Sequence, residues 1–154
     1  ARDTLRADLP EYARRALSLS RPELLLPSAE GNAALPAEIF GPEPARKWCY
    51  YYEKAALAAQ QGHWDEVTRL KREAFDLGYK PLLAAEYLDF IEAALRSSAW
   101  HDAGQLSKIA RNESEGVLPA LCAAWERAAE WAAGSEIYLS VRTEFTCTEQ
   151  PPGQ

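Results

Sequence analysis

The chain has 154 residues, 47% of them hydrophobic and 26% charged, with a formal net charge of −6 at pH 7. That length fits one domain or a compact helical array, and that composition excludes disorder of the whole chain. The acidic balance, with no basic stripe in the sequence, argues against nucleic acid or an anionic membrane surface as partner.

No apolar run approaches the roughly 18 to 20 residues that span a bilayer, and no signal peptide of the charged, apolar, small-residue type is present. The sequence contains no methionine. A chain opening at Ala1 therefore reads as an excised or processed piece, so missing targeting signals say little about the parent. The three cysteines, Cys49, Cys122 and Cys147, are too scattered for a zinc site and too few for a disulfide scaffold. They read as free or buried thiols. The alternative is one bridge with one thiol left over, which needs an oxidising compartment.

Residues 1–20 contain a predicted helix. Asp8 suits a cap, Pro10 the first turn, and Tyr12, Ala13, Ala16 and Leu17 recur at helical spacing. Residues 21–44 hold five prolines and two glycines, which a helix interior does not tolerate, so this stretch is expected to be irregular but pinned by its apolar pieces. The helical signal then strengthens. Helices are predicted over about 46–61, 64–77, 82–97, 101–111 and 119–133. Gly62, Gly78 and Gly134 act as stops, and Asp65 and Glu66 sit in a first turn. Residues 112–116 read as a loop. In 135–147 the apolar spacing suits either a strand or a helix capped by Ser135; the helix is preferred, because a lone strand has no partner.

Self-comparison is the most informative test. Trp64 and Trp100 lie 36 residues apart, and at the same offset Tyr51 meets Tyr87, Ala58 meets Ala94 and Ala74 meets Ala110. The unit is helix, tight turn, aromatic, acidic first turn, helix. Tyr51, Ala55, Ala58, Gly62, Trp64, Val67, Ala74 and Pro81 hold the places of a tetratricopeptide repeat. Tyr87, Ile91, Ala94, Trp100, Ala103 and Ala110 hold them a second time, with Ser98 where glycine is expected. Residues 48–111 thus resemble two such repeats. The likeness departs at Lys54, where leucine is usual, and in the missing proline after the second unit. It implies an all-α stack of antiparallel helical hairpins, a right-handed array of about six to seven helices forming one structural domain. Residues 1–44 would be an N-terminal helix and packed segment, 45–111 two helix pairs, and 112–154 capping helices and tail.

A second resemblance rests on the order IFGPEPARKWCYYYEKA, QGHWDEV and LCAAWERA. It resembles the soluble C-terminal region of bacterial multi-spanning membrane proteins, some of them glycosyltransferase-like. It implies a tail on the extracytoplasmic face and maps no catalytic residue onto this chain.

Catalytic and metal chemistry finds little support. The two histidines, His63 and His101, sit one repeat apart at helix corners, where exposed polar residues are common. A metal site would need them to converge with Asp65 or Asp102. No nucleophile motif, zinc-protease motif or glycine-rich phosphate loop occurs. Asn112-Glu113-Ser114 matches the short N-glycosylation pattern and carries little weight. No cofactor, metal ligand or catalytic residue is therefore expected.

The aromatics Trp48, Tyr51, Tyr87, Trp64 and Trp100 are expected in the core, opposite small alanines. Consecutive helical residues point about 100° apart, so Tyr50, Tyr51 and Tyr52 cannot share a face. The repeat register places Tyr52, Gln60, Leu88, Glu92 and Arg96 on an inner surface suited to an extended peptide or partner helix. The competing expectation is a groove filled by residues 22–44. The reading is a non-catalytic protein–protein interaction or scaffolding domain with a protein or peptide partner. The alternative is a glycan- or ligand-sensing appendage working through Tyr50 and Tyr52.

Overall fold

The computed structural model describes residues 11–17, 19, 38, 45–132 and 135–145. These residues are predominantly helical, and no strand occurs among them. Helix α1 spans Glu11–Leu17. Helices α2 (Trp48–Gln60) and α3 (Trp64–Asp76) follow. A 3-10 turn, Ala84–Tyr87, leads into α4 (Leu88–Arg96), and α5 is Trp100–Glu113. A second 3-10 turn, Glu115–Val117, leads into α6 (Leu118–Ala128), and α7 is Glu136–Glu144. The terminal segment is thus a helix, with the Ser135 hydroxyl accepting from the Tyr138 amide at 3.2 Å as a cap. The proposed fillers at 22–37 and 39–44 lie outside the described residues.

Two departures from the expected boundaries have local causes. The helix expected from residue 82 starts late because Leu83 is extended, at φ −130° and ψ 144°. The Glu86 carboxylate accepts from the Leu82 and Leu83 amides at 2.7 and 3.3 Å and holds that conformation. The expected loop at 112–116 is mostly helical: α5 continues through Glu113, whose carboxylate accepts from the Tyr87 hydroxyl at 3.0 Å. Only Ser114, extended at φ −158°, breaks the run before the 3-10 turn.

Three helix ends share one hydrogen-bond pattern. After α2, the Gly62 amide donates to Ala59 O and the His63 amide to Ala58 O. After α3, Gly78 and Tyr79 donate to Phe75 O and Ala74 O. After α4, Ser98 and Ala99 donate to Leu95 O and Ala94 O. This is the Schellman arrangement, which needs a left-handed residue at the first position past the helix. Gly62 has φ +78° and Gly78 +79°, while Ser98 adopts +58° without being glycine. The 36-residue echo therefore extends to backbone dihedrals.

These tight turns fold α2 against α3 and α4 against α5. Helix α4 is central, packed on α2, α3, α5 and α6, and α5 also carries α7. Small residues line the crossings. Ala55, Val67, Ala74, Ala103 and Ala110 are fully enclosed, and the offset pair Tyr51 and Tyr87 is buried. Phe90 forms edge contacts with Trp48 at 5.9 Å and Phe75 at 6.2 Å. A second centre forms around Trp125, 0% exposed, against Tyr138 and Phe145 at 5.7 and 6.0 Å. Its indole N–H donates to the buried Ser107 hydroxyl at 3.1 Å, so its polar atom is satisfied without water. Trp64 and Trp100, expected in the core, are only half-buried. Each is the first residue of its helix, so one face stays at the rim of the hairpin.

Cys122 is disulfide-bonded and Cys49 carries an exposed free thiol. The expectation of free thiols throughout gives way to the bridged alternative. Cys147 lies outside the described residues. No helix among the described residues is long and apolar enough to cross a membrane.

Candidate functional site

A cleft of about 900 Å³ opens where three parts of the chain meet. It is lined by Trp64 at the start of α3, Arg96 at the end of α4 and Trp131 in the turn after α6. The Arg96 guanidinium carbon lies 4.5 Å from the centre of the Trp64 ring and 5.2 Å from that of Trp131. A flat cation between two indoles is well placed for attraction to both ring faces. Trp131 is fixed by its own N–H, which donates to Leu95 O at 3.2 Å, yet 37% of its surface stays exposed.

Glu92 lies one helical turn before Arg96 and is 3% exposed. Its Oε1 accepts from Arg96 Nε at 3.2 Å and sits 3.1 Å from Arg96 Nη2. Its Oε2 accepts from Arg127 Nη2 of α6 at 2.6 Å. One buried carboxylate thus serves two guanidiniums, as a buried charge must. Arg96 Nη1 has no hydrogen-bond partner among the described residues.

The rim carries both signs of charge. Glu66 accepts from Arg69 at 2.6 and 2.7 Å, and that hydrogen-bonded pairing holds its carboxyl below the usual carboxylate range. Arg69 also pairs with Glu73. Asp65 is exposed and forms no ion pair with any described residue. His63, Thr68, Ser97 and Ser98 complete a rim of donors and acceptors. Such a wall, part indole and part polar, suits recognition of a ligand with its own hydrogen-bonding groups.

The five residues predicted to share an inner surface differ in exposure. Arg96 lines the cleft. Glu92 is buried behind it, since Arg127 offers a second partner that the i, i+4 spacing alone does not reveal. Tyr52 is half-buried and stacks on Trp48 at 6.1 Å with ring planes 19° apart. Leu88 is half-buried against the core, and Gln60 is exposed at the end of α2. Tyr52, Glu92 and Arg96 are therefore not exposed together. Tyr50 is covered by Arg46 at 4.9 Å and Lys54 at 5.3 Å, and its ring meets Tyr51 edge-on.

Glu126, Arg127 and Glu130 read from the sequence as a solvated helix face, and Trp131 falls beyond the second repeat, where the 36-residue echo fixes no register. Helical spacing is no guide to their placement, because α6 ends at Ala128 and Trp131 lies in the turn beyond it. Of the two histidines, His63 reaches the cleft rim, while His101 bonds Gln105 at 2.8 Å. Among the described residues no group of three or more His, Cys, Asp or Glu side chains is placed to hold a metal ion. Comparison of the chain with protein-family models, with curated proteins and with solved structures finds no match.

Proposed function

We propose that this chain is a non-catalytic interaction domain, a tetratricopeptide-like right-handed stack of helical hairpins that binds a protein or peptide partner. The observation that carries the reading is the Trp64–Arg96–Trp131 cleft. Tryptophan and arginine are the side chains most enriched at binding hot spots. The free edge of Arg96 and the unpaired Asp65 offer a donor and an acceptor to a peptide main chain. The repeat reading is supported by the matched turns at Gly62 and Ser98 and by the buried pair Tyr51 and Tyr87. The sequence resemblance suggests that the domain is a soluble appendage of a bacterial membrane protein. A disulfide at Cys122 fits the oxidising, extracytoplasmic side of such a membrane.

The test is selection of binders from a random peptide library on the intact chain, followed by calorimetry. Trp131→Ala and Arg96→Ala are expected to weaken the selected peptides at least about tenfold, the scale of a hot-spot residue. Unchanged affinity in both variants would refute the assignment. A second reading, a glycan contact, is favoured by the exposed indole of Trp131 beside hydroxyls and carboxylates. In this reading Trp131 is the more exposed ring, while Tyr50 and Tyr52 are half-buried. Titration with neutral oligosaccharides that shifts the Trp131 indole signal supports it, and a flat titration removes it.

A further inference from the structure

We infer that Glu92 is the positioning residue of the cleft: it pins Arg96 between the Trp64 and Trp131 rings and makes the site depend on the docking of α6. The inference rests on reading this cleft as the binding surface, but its experiment needs no ligand, so the two fail separately.

Three distances carry the argument. Arg96 is long, and its side chain is 38% exposed. An exposed arginine ordinarily samples many rotamers, and ordering it costs entropy. Here its Nε and Nη2 are both directed to Glu92 Oε1, at 3.2 and 3.1 Å. Two donors on one acceptor fix the plane of the guanidinium, and that plane is the one presented to the two indoles. Glu92 itself cannot move freely. It is 3% exposed, and its other oxygen is held by Arg127 at 2.6 Å. Arg127 belongs to α6, and Trp131 follows in the turn beyond it. Arg96 is therefore tied to α6 through the shared carboxylate and meets the Trp131 ring that follows that helix. The first hairpin supplies Trp64, the second Arg96, α6 the clamp Arg127, and the turn after α6 the ring of Trp131. If α6 shifts, Glu92 loses a partner and Arg96 loses its ring at once. The site is a joint property of three consecutive units, and no single hairpin contains it.

The experiment follows the indole N–H and arginine Nε–H signals of the full chain by NMR, comparing wild type with Glu92→Gln, Arg96→Ala and the double variant. Glu92→Gln should move the Trp64 and Trp131 indole signals in the same direction as Arg96→Ala. The double variant should add nothing beyond Arg96→Ala. Ser107→Ala, which loosens the core at Trp125 instead, should leave both cleft signals in place. Signals unmoved by Glu92→Gln but moved by Arg96→Ala would overturn the inference. Should Glu92→Gln fail to fold, the wild type still decides. The Arg96 Nε–H should exchange with water at least about tenfold more slowly than the exposed Arg72 Nε–H, because it is hydrogen-bonded to a buried carboxylate. Equal exchange rates would overturn the inference as well.

Discussion

Ser98 tests the equivalence of the two repeats with a single substitution. It occupies the left-handed position after α4 with φ +58°, where the preceding unit has Gly62 at +78°. A non-glycine residue in that conformation loses about 1–2 kcal/mol. Ser98→Gly removes that penalty but adds freedom to the unfolded chain worth roughly 0.5–1 kcal/mol. The Ser98 side chain is exposed and makes no hydrogen bond with a described residue, so little else changes. The net expectation is a gain of about 0.5–1 kcal/mol. The reciprocal change, Gly62→Ala, should lose a similar amount. A Cβ there meets nothing within 4 Å, so its cost is conformational and not steric. Urea unfolding at constant slope reads both, and each kcal/mol corresponds to a melting shift of roughly 2–4 °C for a chain of this size. A Ser98→Gly variant less stable than wild type, or a Gly62→Ala variant without cost, would refute the reasoning.

Other expectations rest on single buried groups. Glu86 accepts from the Trp48 indole at 2.8 Å as well as from the Leu82 and Leu83 amides; Glu86→Ala should cost about 2–3 kcal/mol, since it strands a buried N–H and uncaps a helix start. Glu86→Gln keeps an acceptor and should cost less than half as much in the same urea titration. The Tyr87 phenol is pushed up to about 12 by burial, with the Glu113 carboxylate adding to it. Its stabilising contribution is complete below its ordinary value near 10 and is lost as pH rises from there through about 12. Stability should therefore fall over that window, and Tyr87→Phe should flatten the fall; identical pH profiles would contradict the assignment. Alkylation without reductant followed by peptide mapping should label Cys49 and leave Cys122 unlabelled; labelling of Cys122 would remove the disulfide.

The helices were legible because alanine spacing and glycine stops are local signals. Tyr51, Tyr87, Ala58, Ala94, Ala74 and Ala110 all lie in the core as the 36-residue echo requires. The helical choice for 135–145 was legible for the same reason, with Ser135 as its cap. The cleft was only half legible. The repeat register puts Arg96 on a surface but Trp64 wholly in the interior. A residue at the first position of a helix packs one face and leaves the other at the rim, which periodicity does not report. The repeat register puts Glu92 on the inner surface, whereas it is buried with a second guanidinium that arrives from 35 residues away. Trp125 and Trp131 lie outside the repeat, so neither the buried one nor the exposed one could be sorted by register. The partners of buried charges are tertiary facts, and the proposed cleft is built from them.

The most direct test of the proposed binding at this cleft is a chemical-shift map of the intact chain with a library-selected peptide. The account predicts that the largest changes fall on the indole N–H signals of Trp64 and Trp131 and on the amides of residues 62–68 and 96–98. Changes concentrated instead around Tyr50 and Tyr52, or on the exposed leucines Leu77, Leu82 and Leu83, would contradict it.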